Sequence, residues 1–404
     1  MYQDQYQIDY TGSGYGIVWI YKGREDLTWE RSQVVDLGLE FDFHKYVTAE
    51  IDYFYKLTDN MLFPRYVAPS LGYSYEYLNG GELENQGVEV QLNVHALDTR
   101  NVKLDIRLNG AHYKNNVKSL PDYVSSETEM IMNAGMAVGH GLYDWNMPTY
   151  TGVDAETGQA KYLAYYDANL GSFGTGNSAD VLQATGKNGN NYISNVYEYR
   201  MKHPEADIQT TEVTGYQSAY AGSDYIGKSA IPDFAGGFGI DLQAYGVTLS
   251  VTCSYGIGGW GYDNTYAQLM GSDKAGSYNW HKDMRNAWNR MMTDAEKEAI
   301  AAQGAAGIPR LSNGADRYAN MGSTRFLTSS SFLSLNNIRL GYTFPKKLIE
   351  KIKLNTLNIY VSADNLAILS ARKGFNPMAS FTSTTDSYQY TPLSTIMGGV
   401  KFQF

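Results

Sequence analysis

The last residues of the chain, 394–404, constrain the fold more than any other stretch. Ile396, Gly398, Val400, Phe402 and Phe404 fall on one face of a strand, and more polar or small residues fall on the other. Ending a chain in such a strand in water would leave an unpaired sheet edge prone to aggregation. In a transmembrane β-barrel the edge is paired and the apolar face contacts lipid. This stretch therefore predicts a terminal strand that closes a barrel through Ile396, Val400, Phe402 and Phe404, although soluble β-proteins also end in strands.

Eight further segments alternate with the same period of two. They span residues 35–43, 47–57, 88–96, 102–108, 234–244, 247–255, 338–344 and 357–363. None of their apolar-face positions carries a charge. Arg or Lys at the bilayer midplane costs about 2–4 kcal/mol, so a lipid-facing surface requires this pattern. The core face of a soluble β-sandwich would look the same, and alternation alone leaves both folds open.

The lengths of the connections separate these two folds. Short and long connections alternate along the chain. The short ones are 44–45, 97–101, 245–246 and 345–355, and the long ones are 58–85, 115–232, 256–331 and 370–392. Outer-membrane barrels have short periplasmic turns and long extracellular loops, whereas a sandwich has no reason to sort its loops this way. With one more strand over Tyr15–Tyr21, the pattern predicts an all-β, antiparallel transmembrane barrel wall of about ten strands. The segments 116–232 and 256–331 are then long extracellular loops.

Composition excludes several other classes of protein. No segment reaches the 18 apolar residues of a transmembrane helix, and a net charge of −10 argues against nucleic-acid binding. The single Cys253 excludes an internal disulfide framework, and its place on an apolar face predicts a packing residue. The first ten residues have neither the basic nor the apolar region of a signal peptide. We therefore expect the chain to be the C-terminal part of a longer exported precursor.

Eight segments resemble, in order, motifs of the SusC/RagA-like TonB-dependent transporters. They are residues 27–41 ("LxWE…GxDF"), 51–62 (the strand that follows), 85–89 ("NxGxE"), 152–158 ("GxDxxTG"), 232–239 ("PxFxGGFG"), 332–345 ("SFLRLxNxxLGYxxP"), 358–366 ("RxYxSxxNL") and 374–377 ("GxDP"). Two departures from the family pattern, Asn376 for Asp and Asn358 for Arg, do not affect the fold. Each motif is weak alone, but together they cover the chain from about residue 27 to its end.

The resemblance implies a fold, an activity and partners. Family members carry a TonB box and a globular plug, followed by a barrel of about 22 strands with a plugged lumen. Residues 1–404 then correspond to the C-terminal part of that barrel, without the plug and first barrel half. The implied activity is TonB-dependent import of oligosaccharides or peptides across the outer membrane of a Bacteroidetes-type cell. The implied partners are a SusD-like surface lipoprotein, the TonB complex acting through the plug, and membrane lipid, with no cofactor.

Aromatic residues in the long loops are the candidate substrate contacts, because rings offer large contact areas to sugars and peptides at low entropic cost. These candidates are Tyr143, Trp145, Tyr150, Trp260, Tyr262, Tyr278, Trp280 and Trp288. The alternative role for each of them is loop packing or anchoring at the membrane interface. The charged residues expected to face the lumen are Glu50, Asp52, Asp105, Arg107 and Arg339.

The sequence gives little support for an enzyme or for a metal-binding site. The six His residues show no HxxxH or HExxH spacing, and neither GxSxG nor a P-loop occurs. The acidic turn at Asp154 and Glu156 does not complete a calcium loop and is expected to be an ordinary turn. Thr293 and Glu296 form a capping-box pattern that predicts a helix within 284–303, for loop packing or for contact with a lid partner. The alternative function, from another class, is a soluble or surface-attached β-rich carbohydrate-binding protein.

Overall fold

The computed structural model describes residues 3–10, 12, 14–73, 75–121, 136–173, 191–271, 279–311, 318–378 and 392–404. Strands dominate this part of the chain. The strands that form the largest sheet are β3 (Arg31–Phe43), β4 (Val47–Asp59), β7 (Glu82–Asp98), β8 (Val102–Ser119), β14 (Phe234–Ala244), β15 (Val247–Ile257), β18 (Phe332–Thr343), β19 (Thr356–Ser370) and β20 (Thr395–Gln403).

The shorter strands form five small sheets. They are β1 (Gln5–Tyr10) with β2 (Tyr15–Tyr21), β5 (Leu62–Tyr66) with β6 (Tyr75–Asn79), β9 (Asp144–Pro148) with β13 (Ser223–Ser229), β10 (Tyr150–Val153) with β11 (Ala160–Asp167) and β12 (Ile208–Thr214), and β16 (Trp260–Tyr262) with β17 (Leu327–Ser329). Four α-helices are present among the described residues: α1 (Val196–Lys202), α2 (Asn264–Leu269), α3 (Asp294–Ala301) and α4 (Lys346–Ile349). None of the helices in the described ranges is long and apolar enough to cross a membrane.

The nine strands of the large sheet, which we call the wall, follow one another in chain order and pair antiparallel throughout. Because the order is a simple meander, successive connections lie at opposite ends of the strands. One end carries 44–46, 99–101, 245–246 and 344–355, and the other carries 60–81, 120–233, 258–331 and 371–394. The predicted sorting of short and long connections is confirmed. We call these the turn end and the loop end.

Local backbone geometry explains the tightest turn. Tyr245 and Gly246 alone connect β14 to β15, with φ of 50° and 89°. Two successive residues with positive φ are typical of the two-residue hairpin turn that matches the natural twist of the strands. A Cβ at Gly246 would lie 2.6 Å from the carbonyl oxygen of Thr343, so glycine is needed there.

The register of the wall sorts the side chains by polarity. One cross-strand row is apolar in all nine strands: Phe43, Val47, Val94, Ile106, Ile240, Val251, Ile338, Ala363 and Ile396. The adjacent row on the opposite face consists of polar residues and one glycine: Asp42, Thr48, Asn93, Arg107, Gly239, Thr252, Asn337, Asp364 and Thr395. The period-two pattern thus gives the wall one apolar face and one polar face, as predicted for all nine segments.

The prediction that Tyr15–Tyr21 adds a tenth strand to the wall is wrong. Tyr15–Tyr21 is a strand, but it pairs with Gln5–Tyr10 in a separate hairpin and not with Arg31–Phe43. The hairpin precedes the loop end of β3, and Lys22 bridges to Glu76 of β6. Tyr15–Tyr21 therefore belongs to a loop-end hairpin, and the wall within the described residues has nine strands.

The best-buried part of the chain lies in the two longest connections. We call residues 136–173, 191–233 and 258–331, as far as they are described, the loop body. Its fully buried large side chains include Tyr150, Tyr162, Ile193, Met270 and Phe326. Hydrogen bonds join the two connections, from Tyr150 Oη to the Gly307 carbonyl (2.8 Å) and from Tyr162 Oη to the Tyr318 carbonyl (2.6 Å). The long loops are therefore folded against each other.

Candidate functional site

The apolar face of the wall is broadly exposed. Leu340 is 54% exposed and Val361 is 55% exposed, although both lie in the middle of long strands. No charged residue interrupts the apolar row that crosses the nine strands. Monomeric soluble proteins rarely expose contiguous apolar patches above a few hundred Å². This face has the chemistry that a lipid bilayer requires.

Aromatic side chains border the apolar face at both ends. Toward the turn end they are Phe43, Tyr245, Tyr342, Phe344, Phe402 and Phe404, and toward the loop end they are Tyr53, Tyr55, Phe234 and Tyr255. At about 3.4 Å per residue and a strand tilt of about 40°, the rise from Tyr245 to Tyr255 is roughly 25 Å. That height equals the apolar band of outer-membrane barrels between their two aromatic girdles.

The polar face gathers the charged residues that the sequence singled out. Glu50, Asp52, Asp105, Arg107 and Arg339 all lie on this face, as the cross-strand register requires. The polar face is therefore the one on which ions and water can be accommodated.

An ion pair, a hydrogen bond and a ring contact engage three of these charges. Arg107 Nη2 contacts Asp241 Oδ2 at 2.6 Å, and His95 Nδ1 contacts Asp105 Oδ1 at 2.5 Å. The Arg339 guanidinium lies 3.9 Å from the centre of the Tyr360 ring. On the β3–β4 side, by contrast, Glu40 stands opposite Glu50 with no cation paired to either within the described residues. The polar face is therefore compensated at β8 and β14 and acidic at β3 and β4.

Two of the predicted aromatic contacts are core residues of the loop body. Tyr150 is 2% exposed, and Trp288 is 4% exposed and donates its Nε1 proton to the Ala155 carbonyl at 2.9 Å. Burial raises the pKa of the Tyr150 hydroxyl. Tyr262 packs edge to face against Phe326, at 6.1 Å between ring centres. Tyr150 and Trp288 are enclosed by protein, which fits the alternative role of loop packing and leaves no exposed ring for a substrate.

Three of the other predicted aromatics lie on or beside neighbouring strands of the loop body, and one of them contacts a lysine that the sequence did not single out. Trp145 donates its Nε1 proton to the Trp260 carbonyl at 2.7 Å, and Lys228 Nζ lies 3.2 Å from the Trp260 ring centre. Tyr143 joins the group through its carbonyl, which accepts the Ala230 amide proton at 2.8 Å. We call Tyr143, Trp145, Lys228 and Trp260 the mouth cluster, since it lies where the loop body meets β14 and β15.

The electrostatics of the mouth cluster follow from its partial burial. Loss of solvent lowers the pKa of the Lys228 ammonium group. A partly desolvated ammonium over an indole face is a favourable cation–π contact. Both tryptophan rings remain partly exposed. Sequence reasoning missed Lys228 because a lone lysine in a polar loop has no distinguishing pattern.

The remaining predicted residues are dispersed. Trp280 is 39% exposed and donates to the Gly271 carbonyl at 3.0 Å, away from the mouth cluster. Tyr278 lies outside the described residues. The terminal strand pairs with β19 on one side only, and Val400, Phe402 and Phe404 are exposed. Within the described chain, the outer edges of β3 and β20 have no partner strand.

The loop motifs take their expected structural forms. Thr157 donates both its amide and hydroxyl protons to Asp154 Oδ1, at 2.8 and 2.6 Å, which makes an ordinary turn. The reciprocal capping box of Thr293 and Glu296 is present at the start of α3, as predicted. Cys253 is buried as a free thiol, as expected of a packing residue. No group of three or more metal-ligating side chains is found in the described part of the chain.

Comparisons with known proteins agree with the motifs. The chain is 25% identical over 390 residues to TonB-dependent receptor P3 of Formosa agariphila, covering 93% of this chain and 33% of that protein. It is 22% identical over 383 residues to TonB-dependent receptor SusC of Bacteroides thetaiotaomicron, covering 94% and 32%. The chain spans about a third of the length of the curated relatives it matches. No protein-family model matches it.

A solved structure shares the fold. The RagAB peptide transporter structure matches with a TM-score of 0.71 at 22% identity, covering all of this chain and 39% of the matched chain. The same complex in its closed-closed state matches with a TM-score of 0.70. The wall and the loop body therefore have the fold of the corresponding part of that transporter chain.

Proposed function

We propose that this chain, whose resemblance to SusC/RagA-like TonB-dependent transporters is confirmed by its relatives, is part of an outer-membrane, TonB-dependent importer. The observation that carries the proposal is the uncharged apolar row across all nine strands of the wall. In water this face would expose a large apolar surface at a cost in free energy, whereas a bilayer stabilises it. The names of the relatives describe receptors and transporters, and the proposed activity breaks no bond.

The topology of the proposed transporter follows from the two ends of the wall. The turn end faces the periplasm, and the predicted loops 116–232 and 256–331, together with the loop body, face the cell exterior. A test is to label single cysteines on intact cells with a membrane-impermeant maleimide, after Cys253→Ser. Trp280→Cys should label and Tyr245→Cys should not, although both side chains are exposed. Labelling at 245 but not at 280 would reject this topology.

The open edges of the wall bear on what completes the barrel. Unpaired backbone groups facing lipid cost several kcal/mol each, so β3 and β20 need partner strands. We propose that a preceding barrel segment supplies them, with the strand of Phe404 pairing to its first strand, and that a plug in the same segment engages TonB. The length of the relatives supports this. Residues 1–404 expressed alone should then import nothing and show no heat-modifiable barrel on gels.

We also propose a substrate class and a lid partner for the transporter. The imported ligand is an oligosaccharide or a peptide, delivered with a SusD-like surface lipoprotein at the loop end. SusC and the RagAB peptide transporter among the similar proteins support this pairing. The partly exposed rings of the mouth cluster are the favoured contacts. Trp260→Ala should reduce uptake of the native ligand while leaving the amount of folded transporter unchanged.

The alternative, a soluble or surface-attached carbohydrate-binding protein, fits the wall poorly. A β-sandwich would cover the apolar face with a second sheet, and each small sheet of the described chain has only two or three strands. Purification distinguishes the two functions, since the sandwich would remain in solution without detergent. The exposed apolar face favours the transporter.

A further inference from the structure

The connection from β18 to β19, residues 344–355, is the longest connection at the turn end of the wall. It contains α4 (Lys346–Ile349), which is followed by a 3₁₀ turn over Glu350–Ile352. Lys353 ends this turn with a left-handed backbone, at a φ of 59°. We call residues 346–353 the basic turn, since four of these eight residues are lysine.

The apolar side chains of the basic turn divide between protein and solvent. Ile349 is 3% exposed, and α4 packs against β19, so this residue is covered by protein. Leu348 and Ile352 are 59% and 61% exposed, although both are large and apolar. Residues four apart in a helical turn are neighbours, so these two lie on one side, and Lys347 and Lys351 lie together on another. The basic turn is therefore amphipathic, with an exposed apolar side and a positively charged side.

This exposure does not arise at an open edge of the wall. The connection is held between two neighbours, because the Thr343 amide donates to the Gly246 carbonyl at 2.8 Å and the Asn355 amide donates to the Gln403 carbonyl at 2.7 Å. The strands on either side of β18 and β19, namely β15 and β20, are therefore both in place beside the connection. A further barrel strand would pair beyond β20 and not over the basic turn.

The charge of the turn end is opposite to that of the whole protein. Its four connections contain six Lys and Arg residues against a single acid, Glu350, whereas the chain has a net charge of −10. Lys346 lies 3.6 Å from Glu350. The other three lysines of the basic turn form no ion pair with a carboxylate in the part of the chain that the structure describes. A basic surface of this kind on an acidic protein attracts an anionic partner.

The position of the basic turn favours a lipid surface as that partner. The turn follows directly on Tyr342 and Phe344, which belong to the aromatic border of the apolar face and whose ring centres lie 5.0 Å apart. Apolar side chains opposite lysines are typical of helices that lie in a membrane interface. Clustered lysines beside a membrane-spanning segment attract anionic lipids. An acidic protein would satisfy the lysines, but only a membrane is continuous with the apolar face of the wall.

We propose that the basic turn is an interfacial anchor that binds anionic phospholipid headgroups in the periplasmic leaflet. Leu348 and Ile352 enter the boundary of the acyl chains, and Lys347 and Lys351 contact the phosphate groups. The anchor fixes the depth of β18 and β19 in the bilayer, because a shift in either direction loses one of these two sets of contacts. The inference rests on the proposed membrane placement of the wall.

The test uses the complete transporter in the Cys253→Ser background, with a fluorophore on Leu348→Cys, reconstituted in phosphatidylcholine vesicles. Brominated phosphatidylglycerol or brominated phosphatidylcholine is added in increasing fractions as the quencher. Half-maximal quenching should need an about tenfold lower fraction of the brominated phosphatidylglycerol, because each lysine near an anionic surface adds to the binding. Salt at about 1 M, where the screening length is about 3 Å, should remove this preference.

Lysine substitutions identify the groups responsible. Lys347→Gln combined with Lys351→Gln should raise the half-maximal fraction of phosphatidylglycerol about fivefold, toward the value for phosphatidylcholine. Lys103→Gln combined with Lys401→Gln is the matched control, since both of these lysines lie near the turn end on the polar face. The control should keep the preference of the parent protein. Equal effects of the two double substitutions would overturn the inference.

A fluorophore on Val361→Cys, on the apolar face of the wall, tests the membrane placement separately and should be quenched equally by the two lipids. Quenching at 361 without quenching at 348 would show that protein covers the basic turn, which overturns the inference and leaves the proposed function standing. Equal half-maximal fractions of the two lipids at 348 would have the same consequence. Absence of quenching at both positions would overturn the inference together with the membrane placement.

Discussion

The wall and the loop body place their large apolar side chains in opposite environments. Leu340 in the wall is 54% exposed, whereas Tyr162 in the loop body is 0% exposed. The wall is stabilised by cross-strand pairing along long strands, and the loop body by packed clusters around Tyr150, Tyr165 and Phe326. With the proposed membrane placement, this difference means that one polypeptide is built for two solvents. The loop body follows the ordinary rule of apolar burial in water, and the wall would satisfy the same rule in a bilayer.

Truncation of the loop-body core should have the largest effect. Tyr162→Ala removes a fully buried ring and its hydrogen bond to the Tyr318 carbonyl. Buried aromatic truncations cost about 3–5 kcal/mol, so the loop body should lose hydrogen-exchange protection and become protease-sensitive. Leu340→Ala, on the exposed face of the wall, is the matched control and should leave loop-body protection unchanged. Equal loss of protection in both variants would contradict the separation of the two regions.

A charge on the wall should discriminate its two faces. Val251→Arg places a cation in the middle of the apolar row and should cost about 2–4 kcal/mol of stability in a bilayer. Ser250→Arg, one residue away, places it on the polar face beside Asp241 and should cost far less. Urea titration of the complete transporter in lipid vesicles measures both. Similar midpoints for the two variants would show that neither face contacts lipid.

Adjacent glycines in the terminal strand offer a finer test of face assignment. A Cβ at Gly399 would lie 2.4 Å from the Tyr360 ring, whereas at Gly398 the nearest atom would be 3.9 Å away. Gly399→Ala should therefore displace Tyr360 from beneath Arg339 and cost about 1–3 kcal/mol. Gly398→Ala should be neutral or slightly stabilising, because it restricts the unfolded chain. The same titration checks both variants, and a reversed order would mean that the register of β20 is wrong.

The smallest expected effect concerns a helix of the loop body. Thr293→Ala removes the side chain that caps α3 and should cost about 1 kcal/mol. Thr293→Ser keeps the hydroxyl and should restore most of that stability. Hydrogen exchange of the first-turn amides measures the change. Identical exchange in the alanine and serine variants would show that the cap does not stabilise this helix.

The strands of the wall could be predicted because segments such as 357–363 repeat apolar and polar residues with period two. Tyr15–Tyr21 could also be predicted as a strand, yet it pairs with Gln5–Tyr10, which itself alternates polar and apolar residues, and not with the wall. Periodicity identifies a strand but not its partner.

The loop body was the least predictable region. β11 (Ala160–Asp167) has buried or partly buried residues on both of its faces, so its sequence lacks alternation. For the same reason, the aromatic residues of the candidate site could be found by type but not sorted by exposure. Tyr150 and Trp288 are core residues, whereas Trp145 and Trp260 are partly exposed. The role of Lys228 depends on contacts between distant segments, which no local pattern reports.

Lipid contact of the apolar face decides whether the wall spans a membrane. Fluorophores attached to single cysteines in the Cys253→Ser protein, reconstituted as the complete transporter with brominated lipids, measure it residue by residue. Quenching should be strong at Val251, Leu340 and Ile359, and weak at their neighbours Ser250, Arg339 and Asn358. Uniform quenching along the strands, or stronger quenching at Ser250, Arg339 and Asn358, would contradict a membrane-spanning wall.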